Sequence, residues 1–250
     1  MSAAVASSQA ANRIDSLLRL ALYAGLFLAG VLVQASGLLP EMLRYWGDIL
    51  YLGRQHLMLV LISGGLAIAV GVPLGILLTR PFMRKTAETA IQVVNLGQTV
   101  PTLAVLALSM TVLGIGTVPA IFGLWLYSLL PIVRNTYAGI LAVAPASLEA
   151  AKGMGMTNNQ ILWRVELPNA LYVMIAGIRT ALVINVGTVP LAFLIGGGGL
   201  GQLIFTGIDL FNTPMLLAGA IPTALLAVLV DFVLGLAAFY LIPRGVNPLR

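Results

Sequence analysis

Apolar residues run through this chain in long blocks, separated by short clusters of charge. Leu20 to Pro40, Gln55 to Thr79 and Thr89 to Val133 contain no Asp, Glu, Lys or Arg. Asn169 to Ile195 contains only Arg179, and Pro214 to Ile242 only Asp231. A helix that crosses a bilayer needs about 20 mostly apolar residues. Thr89 to Val133 is too long for one such helix. It carries Gly114-Ile115-Gly116-Thr117-Val118-Pro119, a turn signal, and so divides in two. The pattern predicts an all-α, polytopic membrane protein with about six spans, near 17–39, 55–79, 88–113, 117–134, 169–195 and 214–242. Residues 1–16 form an N-terminal tail, 17–250 a transmembrane domain, and 135–168 its longest connection on one side.

Composition sharpens this into a class. Of 250 residues, 60% are hydrophobic and 8% charged. Soluble domains average about 25% charged residues. A soluble enzyme, a nucleic-acid binder and a disordered chain are excluded, because a water-soluble fold cannot hide so much apolar surface. The net charge of +5 is then a matter of membrane orientation. With the N-terminus inside, Arg13, Arg19, Arg80, Arg84, Lys85, Arg134, Lys152, Arg164, Arg244 and Arg250 all fall inside. Only Arg44 and Arg54 fall outside. Excess Lys and Arg mark the cytoplasmic side, so both termini are expected there. The first apolar block exceeds a signal-peptide core and no small-x-small cleavage site follows it, so it is expected to be retained. With no Cys and His56 as the single His, disulfides, thiolate metal sites and multi-His metal sites are excluded.

The inside segment 135–168 is the place to look for function, since long loops carry it more often than short ones. Ser147 to Gly155 is rich in helix formers and ends on a glycine suited to a helix stop. Thr157-Asn158-Asn159-Gln160 has the form of a capping box, so a second helix is expected there. Leu167-Pro168 punctuates the entry to the fifth span. Two short helices joined at a glycine make a knob whose Ala150, Ala151 and Gly155 offer little bulk. Such a knob suits docking into a partner's groove. A plain surface loop with ordinary helix caps has the same pattern.

The residues here also carry a resemblance. Glu149-Ala150-Ala151, Gly155 and Val165-Glu166-Leu167-Pro168 fit E-A-A-x3-G-x9-I-x-L-P, with Val165 in place of Ile. That is the loop signature of the permeases of bacterial ABC importers. Gln98-Thr99-Val100-Pro101-Thr102, Leu129 to Tyr137, Gly153-Met154-Gly155-Met156-Thr157, Gly177-Ile178-Arg179-Thr180-Ala181 and Gly198-Gly199-Leu200-Gly201 resemble the osmoprotectant branch, which imports glycine betaine, carnitine or choline. The similarity covers about 55–245. It implies the MetI-like type I importer fold and a multi-pass protein of the bacterial plasma (inner) membrane. It implies ATPase coupling through Glu149, Ala150, Ala151, Gly153, Gly155, Leu167 and Pro168. The implied partners are a cassette ATPase, an extracytoplasmic substrate-binding protein and a second permease chain, identical or paralogous. The chain itself is expected to be neither catalytic nor cofactor-bound. It has no G-x4-G-K-[ST] phosphate loop, so ATP and Mg belong to the ATPase.

Polar residues inside the spans are few and informative. Intramembrane charges are costly and mark function or a partner. Arg179 lies ~16 Å into span five from Pro168, and Asp231 ~18 Å into span six from Pro243, at helical rise. Matching depths predict an ion pair. Asn95, Gln98, Thr99, Pro101 and Asn185 lie near kinks or on core faces. They are candidates to line a passage, although hydrogen bonds between helices are the simpler reading. Trp125, Tyr127 and Phe193 are candidate contacts but more simply packing residues, and His56 reads as a hydrogen-bonded anchor at the outer mouth of span two. Asp209, Gln202 and Asn212 belong to a solvated outside loop that is also a candidate face for a binding protein. A related permease for another small polar solute, such as an amino acid, fits the same pattern. An ion-coupled secondary transporter fits less well, because Asp231 stands almost alone and no inverted repeat is evident.

Overall fold

The computed structural model describes residues 37–243, together with Tyr23–Gly25, Gly30, Ala35 and Gly245 as isolated positions; the side chain of Arg84 lies outside that description. Most of the expected span 17–39 lies outside the described residues, as do Arg13, Arg19, Arg244 and Arg250. Among the described residues the elements are helices and turns, with no strand. They are α1 (Leu38–Leu43), α2 (Trp46–Leu78), α3 (Arg84–Gly97), α4 (Thr102–Leu113), α5 (Thr117–Leu141), α6 (Pro145–Gly153), α7 (Asn158–Ile161), α8 (Leu167–Thr188), α9 (Gly201–Asp209) and α10 (Thr213–Leu241). Single 3-10 stretches follow α2 at Pro81–Met83 and α8 at Val189–Ile195.

Four helical runs are long and apolar enough to cross a membrane: Trp46–Leu78, Thr117–Leu141, Asn158–Ile195 and Thr213–Leu241. Helices α3 and α4 together are long and apolar enough for one more crossing, but they are bent by 99° at the break between them. The span expected over 88–113 is therefore two helices rather than one. Pro101 has no N–H to donate and disfavours helical geometry at Val100. It sits at φ −59°, ψ 134°, outside the helix, as the N-cap of α4.

Other helices overrun the charge-free blocks that announced them. Helix α2 begins at Trp46 rather than 55, carrying Asp48 in its first turn, where a negative charge suits the positive helix end. Helix α5 continues past 134 to Leu141 and so takes in Arg134 and Asn135. The span expected at 169–195 starts at Asn158. Pro168 does not interrupt it, because Leu162–Glu166 widen into a π turn. That turn relieves the clash a proline ring makes with the carbonyl four residues back. Asn169 Nδ2 donates to the Val165 carbonyl at 2.7 Å. The connection between the two crossings thus shrinks from 135–168 to 142–157, and the charge-free criterion marks the apolar part of a helix rather than its ends.

Helices α2, α5 and α8 form the centre. Small residues let them approach. A Cβ on Gly75 would stand 2.6 Å from Thr136 Cβ, and one on Gly71 2.9 Å from Ile132. This is how membrane helices pack when no water drives them together. Leu59, Val60, Leu106, Leu124, Val186 and Val189 fill the core on the outer side of this centre. Helix α10 packs on α8 and α9. It leaves Leu225, Val228, Leu229, Phe232, Val233 and Leu236 exposed, an apolar surface suited to lipid.

Candidate functional site

The inside connection is built by local rules. Helix α6 starts on Pro145 in its first turn, where a missing N–H costs nothing. It ends in a Schellman motif. Gly155 takes φ +76°, its N–H bonds to Lys152 O at 2.9 Å, and Met156 N–H reaches back to Ala151 O at 3.1 Å. Thr157 and Gln160 then form a reciprocal capping box: Thr157 N–H donates to Gln160 Oε1 at 2.8 Å, and Gln160 N–H to Thr157 Oγ1 at 3.4 Å. Gly155 is the stop that the sequence predicts; the helix it ends runs over Pro145–Gly153, two residues ahead of the expected 147–155.

Glu149, Ala150, Lys152, Gly153 and Gly155 are exposed along this element. Ala151 is fully buried against the chain itself, so it braces the helix rather than smoothing its outer face. Met154 and Trp163, each 69% exposed, add apolar bulk that the glycine and alanine pattern did not announce. The connection is tied to the spans. Arg80, just past α2, donates from Nη2 to Glu166 Oε2 at 2.6 Å, and Glu166 belongs to the π turn that leads into α8. In the sequence Arg80 counted only toward orientation; its partner lies 86 residues away. Leu167 and Pro168 follow in the first turn of α8, half-buried.

In the spans the structure brings some candidates together and separates others. Arg179 and Asp231 form a two-pronged pair: Nε to Oδ1 and Nη2 to Oδ2, each 2.5 Å. Their side chains stay 43% and 42% exposed. They line a cavity of about 520 Å³ between α8 and α10. Asn185 is elsewhere, buried with Ser63 of α2 and Ser128 of α5. Its Nδ2 donates to Ser63 Oγ at 2.9 Å and Ser128 Oγ at 2.6 Å. It ties three helices and does not line the open cavity. Gln98 lines a separate cavity of about 130 Å³ with Ser128 and Thr180. Gln98 Nε2 and Asn95 Oδ1 are buried without a partner among the described residues. Thr99 is exposed and donates to Leu96 O at 2.7 Å; Pro101 marks the bend. His56 is well inside α2 rather than at its mouth. Its ring Nε2 lies 3.1 Å from Val186 O, a fully buried anchor between helices.

This arrangement matches known proteins. The sequence profile of the "binding-protein-dependent transport system inner membrane component" family covers residues 71–244. The chain belongs to that family. This permease is 57% identical over 187 residues to the osmoprotectant import permease protein OsmY of Salmonella typhimurium, covering 75% of this chain and 79% of that protein. It is 46% identical over 204 residues to the choline transport system permease protein OpuBB of Bacillus subtilis, covering 82% and 93%. It is 46% identical over 196 residues to the carnitine transport permease protein OpuCB of Listeria monocytogenes, covering 78% and 89%. Its fold resembles the inward-facing MetNI methionine ABC transporter, with TM-score 0.67, 25% identity, and 80% of this chain and 96% of that chain covered. The permease is therefore a multi-pass membrane component of an ABC importer, with the MetI-like fold, in the osmoprotectant branch.

Proposed function

We propose that the permease carries a quaternary-ammonium compatible solute, of the glycine betaine, choline or carnitine kind, across the bacterial inner membrane into the cell. ATP and Mg are bound by a separate ATPase subunit, and the permease supplies no catalytic group. A binding protein outside delivers the solute, and a second permease chain completes the passage. Closure of the ATPase dimer pushes on α6, and the spans tip from inward- to outward-facing. One observation carries this reading. Helix α6 presents Glu149 and Ala150 outward on a frame held by α5, by the Arg80–Glu166 pair and by the continuous helix into α8. The solute class is supported by the osmoprotectant, choline and carnitine transport for which the relatives above are named.

The test is reconstitution with ATPase and binding protein in proteoliposomes, reading uptake of labelled glycine betaine, choline and carnitine. Uptake of at least one is expected only with ATP; uptake at the same rate without ATP would sink the importer reading. Gly155→Val tests the coupling element. Open space surrounds Gly155, but its positive φ strains a branched residue. A cost of about 1–2 kcal/mol distorts the turn. Uptake should then fall about tenfold with the complex still assembled. Unchanged uptake would remove the role assigned to the turn.

A further inference from the structure

The Arg179–Asp231 pair joins two helices without being enclosed between them. Asn185 is sealed, whereas both charged side chains here stand more than two-fifths exposed. At mid-membrane depth, charges open to hydrocarbon are expensive. A cavity filled with water rather than lipid tails would lower that cost. Its volume, about 520 Å³, lies in the range of small-molecule sites.

The chemistry left unused is specific. Arg179 spends Nε and Nη2 on Asp231, which leaves the two N–H groups of Nη1 without a described partner. Gly235 has no side chain to cover them: a Cβ there would come to 3.6 Å from Nη1. Asp231 lines the cavity as well, and each carboxylate oxygen can accept more than the one bond it takes from Arg179. Tyr172 and Thr180 line the same space, and Tyr172 stands two turns below Arg179 on the same face of α8.

We propose that this pair is a way-station for a zwitterionic solute, which lies antiparallel to it. The solute's carboxylate takes the Nη1 donors of Arg179. Its trimethylammonium, which has no N–H to donate, rests against the Asp231 carboxylate and the Tyr172 ring, held by charge and cation–π attraction. The pair need not break, because a dipole set antiparallel to a dipole is attracted to it. Each charge already has its partner, so a solute adds only secondary contacts and the site is weak, as a passage requires. A simple cation finds only the Asp231 half and is repelled by Arg179. The site therefore selects solutes carrying both charges. This rests on the transport reading above and narrows it.

The chain has no cysteine, so Thr180→Cys introduces a single thiol into the cavity. The assembled transporter is treated in proteoliposomes with a small membrane-impermeant methanethiosulfonate, alone or with glycine betaine, tetramethylammonium or acetate. Labelling is expected, and glycine betaine at roughly ten times its Kd should slow it about tenfold. Tetramethylammonium and acetate should protect much less. Adding Arg179→Gln and Asp231→Asn together keeps a hydrogen-bonded neutral pair and should abolish the protection. No labelling, equal protection by all three solutes, or protection that survives the neutral pair would each overturn the site. Ala176→Cys, on the same wall, serves if Thr180→Cys fails to assemble. Glycine betaine uptake by the unmodified protein is read separately. Uptake with no protection overturns the site and leaves the transport reading intact.

Discussion

Asn185 and Arg179 stand six residues apart on α8 and meet opposite surroundings. Asn185 is 1% exposed and spends both N–H donors on serines of two other helices. Arg179 is paired as completely as its geometry permits on one side, yet it opens onto a cavity. The difference follows from charge. A neutral amide can be satisfied by two hydroxyls and closed off from water. A guanidinium and a carboxylate lose too much hydration to be sealed in, and a half-open position keeps part of it. Helix α8 thus carries an enclosed joint at Asn185 and a half-open wall at Arg179.

Breaking the wall should have the larger effect. Asp231→Ala leaves Arg179 alone at mid-membrane, and the yield of folded protein after detergent extraction should drop sharply. Arg179→Ala together with Asp231→Ala should restore most of that yield, since no unpaired charge remains. A double variant as poor as the single ones would mean that each residue acts through other contacts. Breaking the joint should cost less. Asn185→Ala removes two interhelical hydrogen bonds at about 0.6 kcal/mol each, and with the small cavity left behind it should lower stability by about 1–2 kcal/mol. Chemical or thermal unfolding in detergent measures it. Ser128→Ala removes one of those bonds and should cost only about 0.6 kcal/mol, with transport unchanged. If Ser128→Ala instead impaired uptake as much as it lowered stability, the joint would belong to the passage and the division would fail.

The residues differ in how far the sequence exposed them. The depths of Arg179 and Asp231 could be counted from Pro168 and Pro243, because helices rise uniformly and charges in a span are rare. The turn at Gly155 and the capping box at Thr157 were readable because they are local. The Asn185 partners were not, since Ser63 and Ser128 lie 122 and 57 residues away and serines are common in spans. The Arg80–Glu166 tie was hidden for the same reason. The bend at Pro101 had a visible proline, but so had Pro73, Pro131 and Pro222, which stay inside their helices. Only tertiary packing decides which proline ends a helix and which is absorbed.

The absorbed proline at 168 has a mechanical consequence. Because the π turn keeps the helix unbroken from Asn158 to Ile195, one rod of about 57 Å joins the inside knob to the outside rim. Displacement at one end needs no chain of side-chain relays to reach the other. Arg179 stands near the middle of this run, and the widened turn at Leu162–Glu166 lies close to its inside end.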